Sequence, residues 1–295
     1  FYLAIAVLNL GIIYRVYKWA CSPVPFRIPT TTGQQKSLPW IKQNKLENPD
    51  TLSGVIGRML LEILLFRSLF RNTRSEVKDG RIYYGSSKWL WVAAMAFHWT
   101  FLVIFLRHFR FFVEPAPFFV SWLQYLDAFF EIGVPELFIT DVVIILALGY
   151  LLVRRLFIPQ VRYISPASDY FPLFLILGIA ITGVLMRHFF KVDLLAVKEL
   201  ATGIFALKPT VPEGIGAMFY VHLFLVSSLL IYFPFSKLVH MPGVFLSPTR
   251  NLANNNRMKR HINPWNYPVE VHTYEEWEDE FRDLIKECGL PLEKE

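Results

Sequence analysis

The sequence has few cysteines and few charged residues, and both shortages narrow its class. Only Cys21 and Cys288 occur among the 295 residues, and neither a CxxC nor a CxxCH motif is present. A disulfide framework, a zinc site, an iron–sulfur cluster and a c-type haem attachment are therefore not expected. Charged residues make up 18% of the chain, against about 25% in average soluble domains. Together with the lack of an internal repeat or a glycine-rich phosphate loop, these shortages argue against an ordinary soluble enzyme.

The sequence is instead rich in long apolar runs. Hydrophobic residues make up 54% of it, aromatic residues 16%, and the mean hydropathy is +0.38. A membrane-spanning helix needs about 20 mainly apolar residues, and five stretches meet this need: 1–20, 89–112, 138–158, 170–190 and 216–239. The first stretch ends in basic residues without a small-residue cleavage site, so we expect a retained span rather than a signal peptide. The predicted fold class is an all-α integral membrane protein with five transmembrane helices, segments I to V.

The basic residues predict the orientation of these spans. Lys and Arg number 18 in the 21–87 connection, the III–IV loop and residues 237–261, against five on the opposite face. The face with more Lys and Arg is cytoplasmic under the positive-inside rule. We therefore expect a protein of the cytoplasmic membrane with its N-terminus outside and its tail inside. The net charge of +6 then needs no nucleic-acid partner.

The segments outside the spans have their own patterns. The 21–88 connection contains an apolar island, residues 52–70, in which charged and apolar residues recur at near-helical spacing. This pattern predicts an amphipathic helix in the membrane interface, with a buried hairpin as the alternative. The acidic and aromatic II–III connection predicts a short helix at headgroup level. Residues 89–243 would form the core, and residues 244–295 a cytoplasmic tail, helical from Tyr274 to Cys288, that docks on a partner subunit.

Histidine carries the functional signal. Segment II contains His98 and His108, segment V contains His222 and His240, and His188 ends segment IV. An ionisable residue inside a span is by default a functional hypothesis, although a single such histidine is as often a neutral packing residue. Two helices that carry two histidines each favour haem, because two imidazoles can hold its iron from opposite sides.

Helix geometry predicts how these histidines pair. Segments II and V run antiparallel, so His98 would pair with His240 and His108 with His222. The two histidines are about 15 Å apart along segment II and about 27 Å apart along segment V. Tilt and a kink at Pro234 must absorb the difference of roughly 12 Å. This arrangement places one haem near each membrane face, and the pair would conduct electrons across the bilayer.

Two families share these motifs. The spacings His-x9-His in segment II and His-x17-His in segment V resemble the gamma-subunit family of respiratory nitrate reductase, five-helix di-haem cytochromes b that oxidise quinol. The run from His222 to Met241 is especially similar to the fifth helix of that family. The tail, SPTRNLANNNRMKRHINPWNYPVEVHTYEEWEDEF, resembles instead the DsrM family, the membrane cytochromes b of the Dsr complex in sulfur-metabolising prokaryotes. The long 21–88 insertion also favours the DsrM family.

The resemblance implies an electron-transfer function. It implies that the four paired histidines ligate two b haems, and that menaquinol is oxidised near the outer haem. It further implies a cytoplasmic iron–sulfur partner like DsrK, which acts on the small protein DsrC, together with other membrane and periplasmic Dsr subunits. One alternative is a gamma-type subunit of a nitrate or heterodisulfide reductase. Another, from a different class, is a haem-free membrane anchor or transporter.

Several further residues are candidates for the same site. Arg107 and Arg110 flank His108 and could bind haem propionates, or they could anchor the helix at the interface. His188 could replace His222 as a ligand, contact quinone or cap its helix. Quinol oxidation releases two protons, so a base is needed near the outer haem, and none of the candidates stands out. These candidates are His188, Glu114, Asp127 and Glu131.

Overall fold

The computed structural model describes residues 1–22, 44–128, 138–255 and 271–293. These parts of the chain are mainly helical, with a single hairpin between helices α3 and α4 among them. The α-helices are α1 (Tyr2–Ala20), α2 (Leu52–Leu65), α3 (Arg67–Phe70), α4 (Lys88–Arg107), α5 (Phe118–Asp127), α6 (Ile139–Phe157), α7 (Pro159–Tyr163), α8 (Ala167–His188), α9 (Leu194–Phe205), α10 (Ala217–Tyr232), α11 (His240–Gly243), α12 (Pro248–Asn251) and α13 (Tyr274–Glu287). The antiparallel hairpin is formed by β1 (Thr73–Lys78) and β2 (Arg81–Ser86).

Within the described parts of the chain, four helices are long and apolar enough to cross a membrane. They cover Tyr2–Ala20, Lys88–Phe111, Ala167–His188 and Ala217–Phe235. Helix α6 has 19 residues but carries Asp141 in its first turn and Arg154 and Arg155 in its last. These charges complement the helix dipole at each end.

The long helices pack in a consecutive order. Helix α4 lies against α6, α6 against α8, α8 against α10, and α10 against α1. Ile144 and Leu148 of α6 and Ile176 of α8 form a cluster of buried apolar side chains, and α4 and α10 contribute Phe97 and Leu229 to it. The apolar core therefore lies between α4, α6, α8 and α10. Two of these helices, α4 and α10, contain the candidate histidines His98 and His222.

Segment V is not one continuous helix. Helix α10 ends at Tyr232, and two 3₁₀ turns, Phe233–Phe235 and Lys237–Val239, lead to the short helix α11 that begins at His240. Proline causes the break because it cannot donate a backbone hydrogen bond and its ring clashes with the preceding turn. The expected kink at Pro234 is thus a full interruption of the helix, and His240 lies on a separate element.

Helix α1 packs closely against this break. A Cβ atom at Gly11 would lie 2.5 Å from Cβ and 2.6 Å from Cγ of Pro234, so only glycine fits there. Nε of Arg15 donates a hydrogen bond to the Pro234 carbonyl oxygen at 3.0 Å. Helix α1 therefore supports the backbone at the point where α10 ends.

The apolar island at 52–70 forms two helices rather than one. Helix α2 ends at Phe66, whose φ of 47° and ψ of 49° are left-handed, and α3 begins directly after it. The hairpin that follows was not anticipated, because its strands alternate weakly and are largely exposed. A prediction of a single amphipathic helix over 52–70 is therefore wrong at Phe66.

The described parts of the tail first contact the start of α2 and then form a helix. The contact between Asn254 and Pro49 is called the clamp below. The backbone N–H of Asn254 donates to the Pro49 carbonyl at 2.7 Å, which ties the chain after α12 to the start of α2. Helix α13 begins with a capping box, in which the Thr273 hydroxyl and the Glu276 carboxylate each accept a backbone N–H of the other residue.

Candidate haem-binding site

His98 and His240 face each other at one end of the helix bundle. Their ring centres are 6.0 Å apart and their planes are inclined at 75°. His98 belongs to α4, whereas His240 is the first residue of α11, after the break at Pro234. The interruption of segment V therefore brings His240 to the level of His98.

His108 and His222 approach each other at the other end of the bundle. His108 directly follows α4 and begins a 3₁₀ turn, and His222 lies in the second turn of α10. The two rings are close enough for their charges to interact. The structure thus brings the four histidines together in the two pairs that antiparallel helices predict.

A shared hydrogen-bond pattern orients all four imidazoles. Nδ1 lies 2.8 Å from the Ala94 carbonyl in His98, 2.6 Å from the Ile104 carbonyl in His108 and 2.8 Å from the Lys237 carbonyl in His240. Because a carbonyl oxygen only accepts, each of these Nδ1 atoms must carry the proton. The neutral ring then has its free lone pair on Nε2, as a metal ligand requires.

His222 reaches the same state through a side chain on another helix. Its Nδ1 lies 2.8 Å from the hydroxyl oxygen of Thr182 on α8. That hydroxyl is also within 2.8 Å of the Gly178 carbonyl and 3.0 Å of the Ile179 carbonyl, so its own proton is used there. The hydroxyl oxygen consequently accepts from Nδ1 and leaves Nε2 of His222 free.

The donor set fits haem iron. Two iron–nitrogen bonds of about 2 Å, plus about 1.1 Å from each nitrogen to its ring centre, separate two axial imidazoles by about 6 Å. The His98–His240 separation agrees with this value. Among the described residues, no group of three or more His, Cys, Asp and Glu side chains could hold a metal ion.

Aromatic side chains surround the His98 ring. Phe66 lies edge-on at 4.9 Å between ring centres and 80° between planes, and Phe97 lies at 4.8 Å and 72°. These contacts make the surroundings of His98 apolar.

A buried network of charges lies beside His108. Arg107, which is 5% exposed, forms an ion pair with Asp127, and Asp127 also accepts hydrogen bonds from the backbone and hydroxyl of Thr140 at 2.8 and 2.6 Å. The guanidinium groups of Arg107 and Arg187 lie on the ring of Phe138, each 3.9 Å from its centre. Nε and Nη2 of Arg107 have no hydrogen-bond partner among the described residues. Arg107 therefore keeps two donor groups for an anion despite its pairing with Asp127.

His188 faces α6 in this network. Its Nε2 lies 3.5 Å from Oδ2 of Asp141, which also pairs with Arg187 at 3.2 Å. At that distance Nε2 makes no hydrogen bond, and within the described ranges it has no other partner. His188 is thus a largely buried imidazole with a carboxylate beside it.

Two of the remaining candidates, Arg110 and Glu114, make other contacts. Arg110 lies over the ring of Phe111 at 4.8 Å. Glu114 is 74% exposed and pairs with Lys198 of α9. Glu131 lies outside the described residues.

Comparison with known proteins gives the family. A model of the nitrate reductase gamma subunit matches residues 66–260, about two thirds of the chain. The chain belongs to the nitrate reductase gamma subunit family. The matched region contains all four paired histidines as well as His188.

Two archaeal relatives are similar over nearly the whole chain. A protein of Archaeoglobus fulgidus is 45% identical over 277 residues, which cover 92% of this chain and 82% of the relative. A protein of Archaeoglobus profundus is 41% identical over 271 residues, which cover 90% and 80%. Both relatives are named Hdr-like menaquinol oxidoreductase cytochrome b-like subunit. Family membership and the apolar helices together make this chain a multi-pass membrane protein.

Three residues of the site were not singled out from the sequence. Asp141 could have been, because a carboxylate inside a predicted span is a functional hypothesis by default. Thr182 gives no such signal, since threonine is common in membrane helices and its contact with His222 depends on how α8 and α10 pack. Phe66 is one of 27 phenylalanines, and only its backbone conformation distinguishes it.

Proposed function

We propose that this nitrate reductase gamma family member is a di-haem b electron-transfer subunit that oxidises menaquinol and reduces a cytoplasmic iron–sulfur subunit. The observation that carries the proposal is the shared orientation of four histidines, each with Nδ1 hydrogen-bonded and Nε2 free. A packing histidine needs no such uniform tautomer, whereas an axial ligand does.

Each residue has a definite role in this proposal. His98 and His240 hold one haem iron through Nε2, and His108 and His222 hold the other. The haems, when bound, supply one-electron redox chemistry that no side chain offers. The chain's part is to fix the imidazoles through their Nδ1 bonds and to keep water away with the apolar core. Arg107 and Arg110 offer guanidinium donors for propionates near His108.

Menaquinol is oxidised, in this proposal, at the His108–His222 end. The positive-inside rule places that end outside, with the N-terminus, and the His98–His240 end at the cytoplasm. Quinol oxidation releases two protons, and His188 beside Asp141 is the described base best suited to accept one. Its Nε2 lies 3.5 Å from Oδ2 of Asp141. Glu114, Asp127 and Glu131 remain further candidates for proton release.

The proposal includes five spans and a set of short elements at the cytoplasmic interface. Helix α6 has the length of a span and lies between α4 and α8, so we include it as the fifth. Helices α2 and α3 and the clamp around Asn254 then lie at the cytoplasmic interface. The tail, residues 244–295, is proposed to dock on the iron–sulfur partner.

Two kinds of complex are candidates for the partner subunit and the pathway. The tail and the 21–88 insertion resemble the DsrM family, and they favour a DsrK-like partner, other Dsr subunits and a role in sulfite or sulfur respiration. The relatives' name, Hdr-like menaquinol oxidoreductase subunit, favours a complex of heterodisulfide reductase type. Both candidates use the same haems and quinol, and purifying the intact complex and identifying its iron–sulfur subunit distinguishes them.

Optical spectroscopy of the purified complex tests the proposal. A dithionite-reduced minus air-oxidised spectrum, with haem quantified per copy of this chain, should give two b haems. One haem would show that one of the two histidine pairs is not a ligand pair, and His188 would be examined next. A folded chain without haem would overturn the proposal in favour of a membrane anchor or transporter.

A further inference from the structure

Phe66 has a backbone conformation that phenylalanine rarely adopts. Its φ of 47° and ψ of 49° are left-handed, although the residue has a bulky side chain. Such a conformation persists only where the surrounding structure enforces it, and strained residues of this kind gather at functional sites. The strain at Phe66 therefore needs a reason in its contacts.

Side chains from α4 hold the backbone just before Phe66. The indole N–H of Trp91 donates to the Leu65 carbonyl at 2.7 Å, and that of Trp99 donates to the Leu64 carbonyl at 3.1 Å. Trp99 is the immediate neighbour of His98. The end of α2 is thus fixed to the same turns of α4 that carry this histidine.

Side chains also hold the backbone just after Phe66. The junction of α2 and α3 at Phe66 is called the corner below. Oε2 of Glu62 accepts hydrogen bonds from the backbone N–H and the hydroxyl of Ser68, at 3.0 and 2.8 Å. Arg250 of α12 pairs with Oε1 of Glu62 at 2.8 Å and also contacts the Ser68 hydroxyl. The chain around Phe66 is therefore held by α12, which begins eight residues after His240, as well as by α4.

The held corner places the ring of Phe66 against His98. The ring is edge-on to the imidazole at 4.9 Å, on the ligand whose partner is His240. We propose that Phe66 is a positioning residue that fixes the plane of the His98 imidazole and excludes water from it. This inference rests on the proposed function, because it assumes that His98 holds haem iron.

The consequence is an effect on one haem alone. Ferric bis-imidazole haem carries one more positive charge than the ferrous form, so a dry and apolar surrounding favours reduction and raises the potential. Removing the Phe66 ring admits water beside His98 and should lower that potential. The second pair lies at the other end of the bundle and should be unaffected.

The test compares three variants of the intact complex. Phe66→Gly removes the ring and also relieves the left-handed strain, because glycine adopts positive φ freely. Phe66→Leu keeps an apolar side chain and the strain. Phe70→Leu is the control, since Phe70 belongs to the same corner but contacts Trp91 rather than His98. The readouts are a redox titration of each b haem and the low-spin ferric electron paramagnetic resonance spectrum, which reports the angle between axial imidazole planes.

The expected result is selective. In Phe66→Gly the reduction equilibrium of one haem should fall at least tenfold, about 59 mV for one electron, and its largest g value should move. Phe66→Leu should shift the same haem less, and Phe70→Leu should match the wild type. Loss of that haem alone, with the other retained, would also support the inference. If Phe66→Gly does not fold, the potential and the g values of Phe66→Leu decide whether Phe66 positions His98.

The opposing results are equally clear. If the wild type contains two b haems and both Phe66 variants leave their potentials and g values unchanged, the positioning role is wrong and the proposed function stands. A shift of both haems, or an equal shift in Phe70→Leu, would also overturn the role. A wild type without two haems would overturn the proposed function itself.

Discussion

The hydroxyl oxygen of Thr182 lies 2.8 Å from Nδ1 of His222, although the two residues are on different helices. The other three paired histidines use a backbone carbonyl of their own segment for this bond. A carbonyl three or four residues back is always available to a helical histidine, whereas the Thr182 contact exists only because α8 packs on α10. The orientation of His222 therefore depends on a side-chain hydroxyl of another helix, unlike that of His108.

Thr182→Val should weaken haem binding at that pair. Valine has nearly the shape of threonine but accepts no hydrogen bond, so Nδ1 of His222 would lose its partner. Loss of such an outer partner typically costs 10- to 100-fold in metal affinity. Haem content per chain, measured during dilution of the purified complex, should fall by one haem. Thr182→Ser restores the hydroxyl and should behave as the wild type, and equal haem retention in all three proteins would contradict the assigned role.

His98→Ala should remove one haem and leave the other. The variant deletes one of two axial ligands at its own end of the bundle, and the rings of the second pair are held by separate hydrogen bonds. The spectrum should therefore show one b haem per chain, as it should for His240→Ala. His272→Ala, at an exposed position before α13, is the control and should keep both haems. If either ligand variant loses both haems in a folded chain, the two sites are coupled and the pairing needs revision.

Long apolar helices can be predicted from the sequence because they depend on local periodicity, whereas the pairing of the four histidines as haem ligands stays a prediction. Apolar runs of about 20 residues leave few alternatives in a membrane, and two histidines on each of two antiparallel helices permit only one order of pairing. The position of His240 was less predictable. Its spacing from His222 suggested one helix, and only the consequence of Pro234 for the backbone shows that a second short element carries it.

The features that depend on tertiary contact could not be read from the sequence. Phe66 interrupts the 52–70 island with no glycine or proline next to it, because Trp91, Trp99 and Arg250 hold the backbone there from elsewhere in the chain. Helix α9 is short and was not predicted, although Asp193 caps its N-terminus. Asp141 and Arg187 pair across α6 and α8, and such a pairing appears only once the order of helix packing is known.

Gly11→Ala should destabilise the protein. The new methyl group would lie within 2.6 Å of two Pro234 side-chain atoms, so α1 must move away from the break in segment V. Overpacking of this kind costs about 1–3 kcal/mol, and the apparent Tm of the complex in detergent should fall. Gly149→Ala in α6 is the matched control, since a methyl group there meets no atom within 4 Å among the described residues. Equal Tm values for both variants would contradict the close packing of α1.

Asp127→Asn should destabilise the protein more than an exposed change does. The variant leaves the buried Arg107 guanidinium without its carboxylate, and breaking a buried ion pair costs about 3–5 kcal/mol. The apparent Tm should fall strongly, and the double variant Arg107→Leu/Asp127→Leu should recover part of the loss. Asp279→Asn, which breaks the exposed pair with Arg282, should change stability by about 0–1 kcal/mol. A single variant as stable as this control would show that Arg107 is not held by Asp127.

Asp141→Asn should slow electron entry from quinol while the haems remain bound. Nε2 of His188 lies 3.5 Å from Oδ2 of Asp141, and in the proposed function His188 takes a proton from the quinol with this carboxylate beside it. An amide has no negative charge to offer there, and general-base catalysis is typically worth 10²–10⁴-fold. The rate of haem reduction by a menaquinol analogue should therefore fall about 100-fold, with an unchanged dithionite-reduced spectrum. Asp169→Asn is the matched control, because Asp169 also lies in a first helical turn but pairs with Arg155 and Lys237. An equal loss in both variants would indicate a general effect on the bundle, and no loss in Asp141→Asn would remove Asp141 from the proton path.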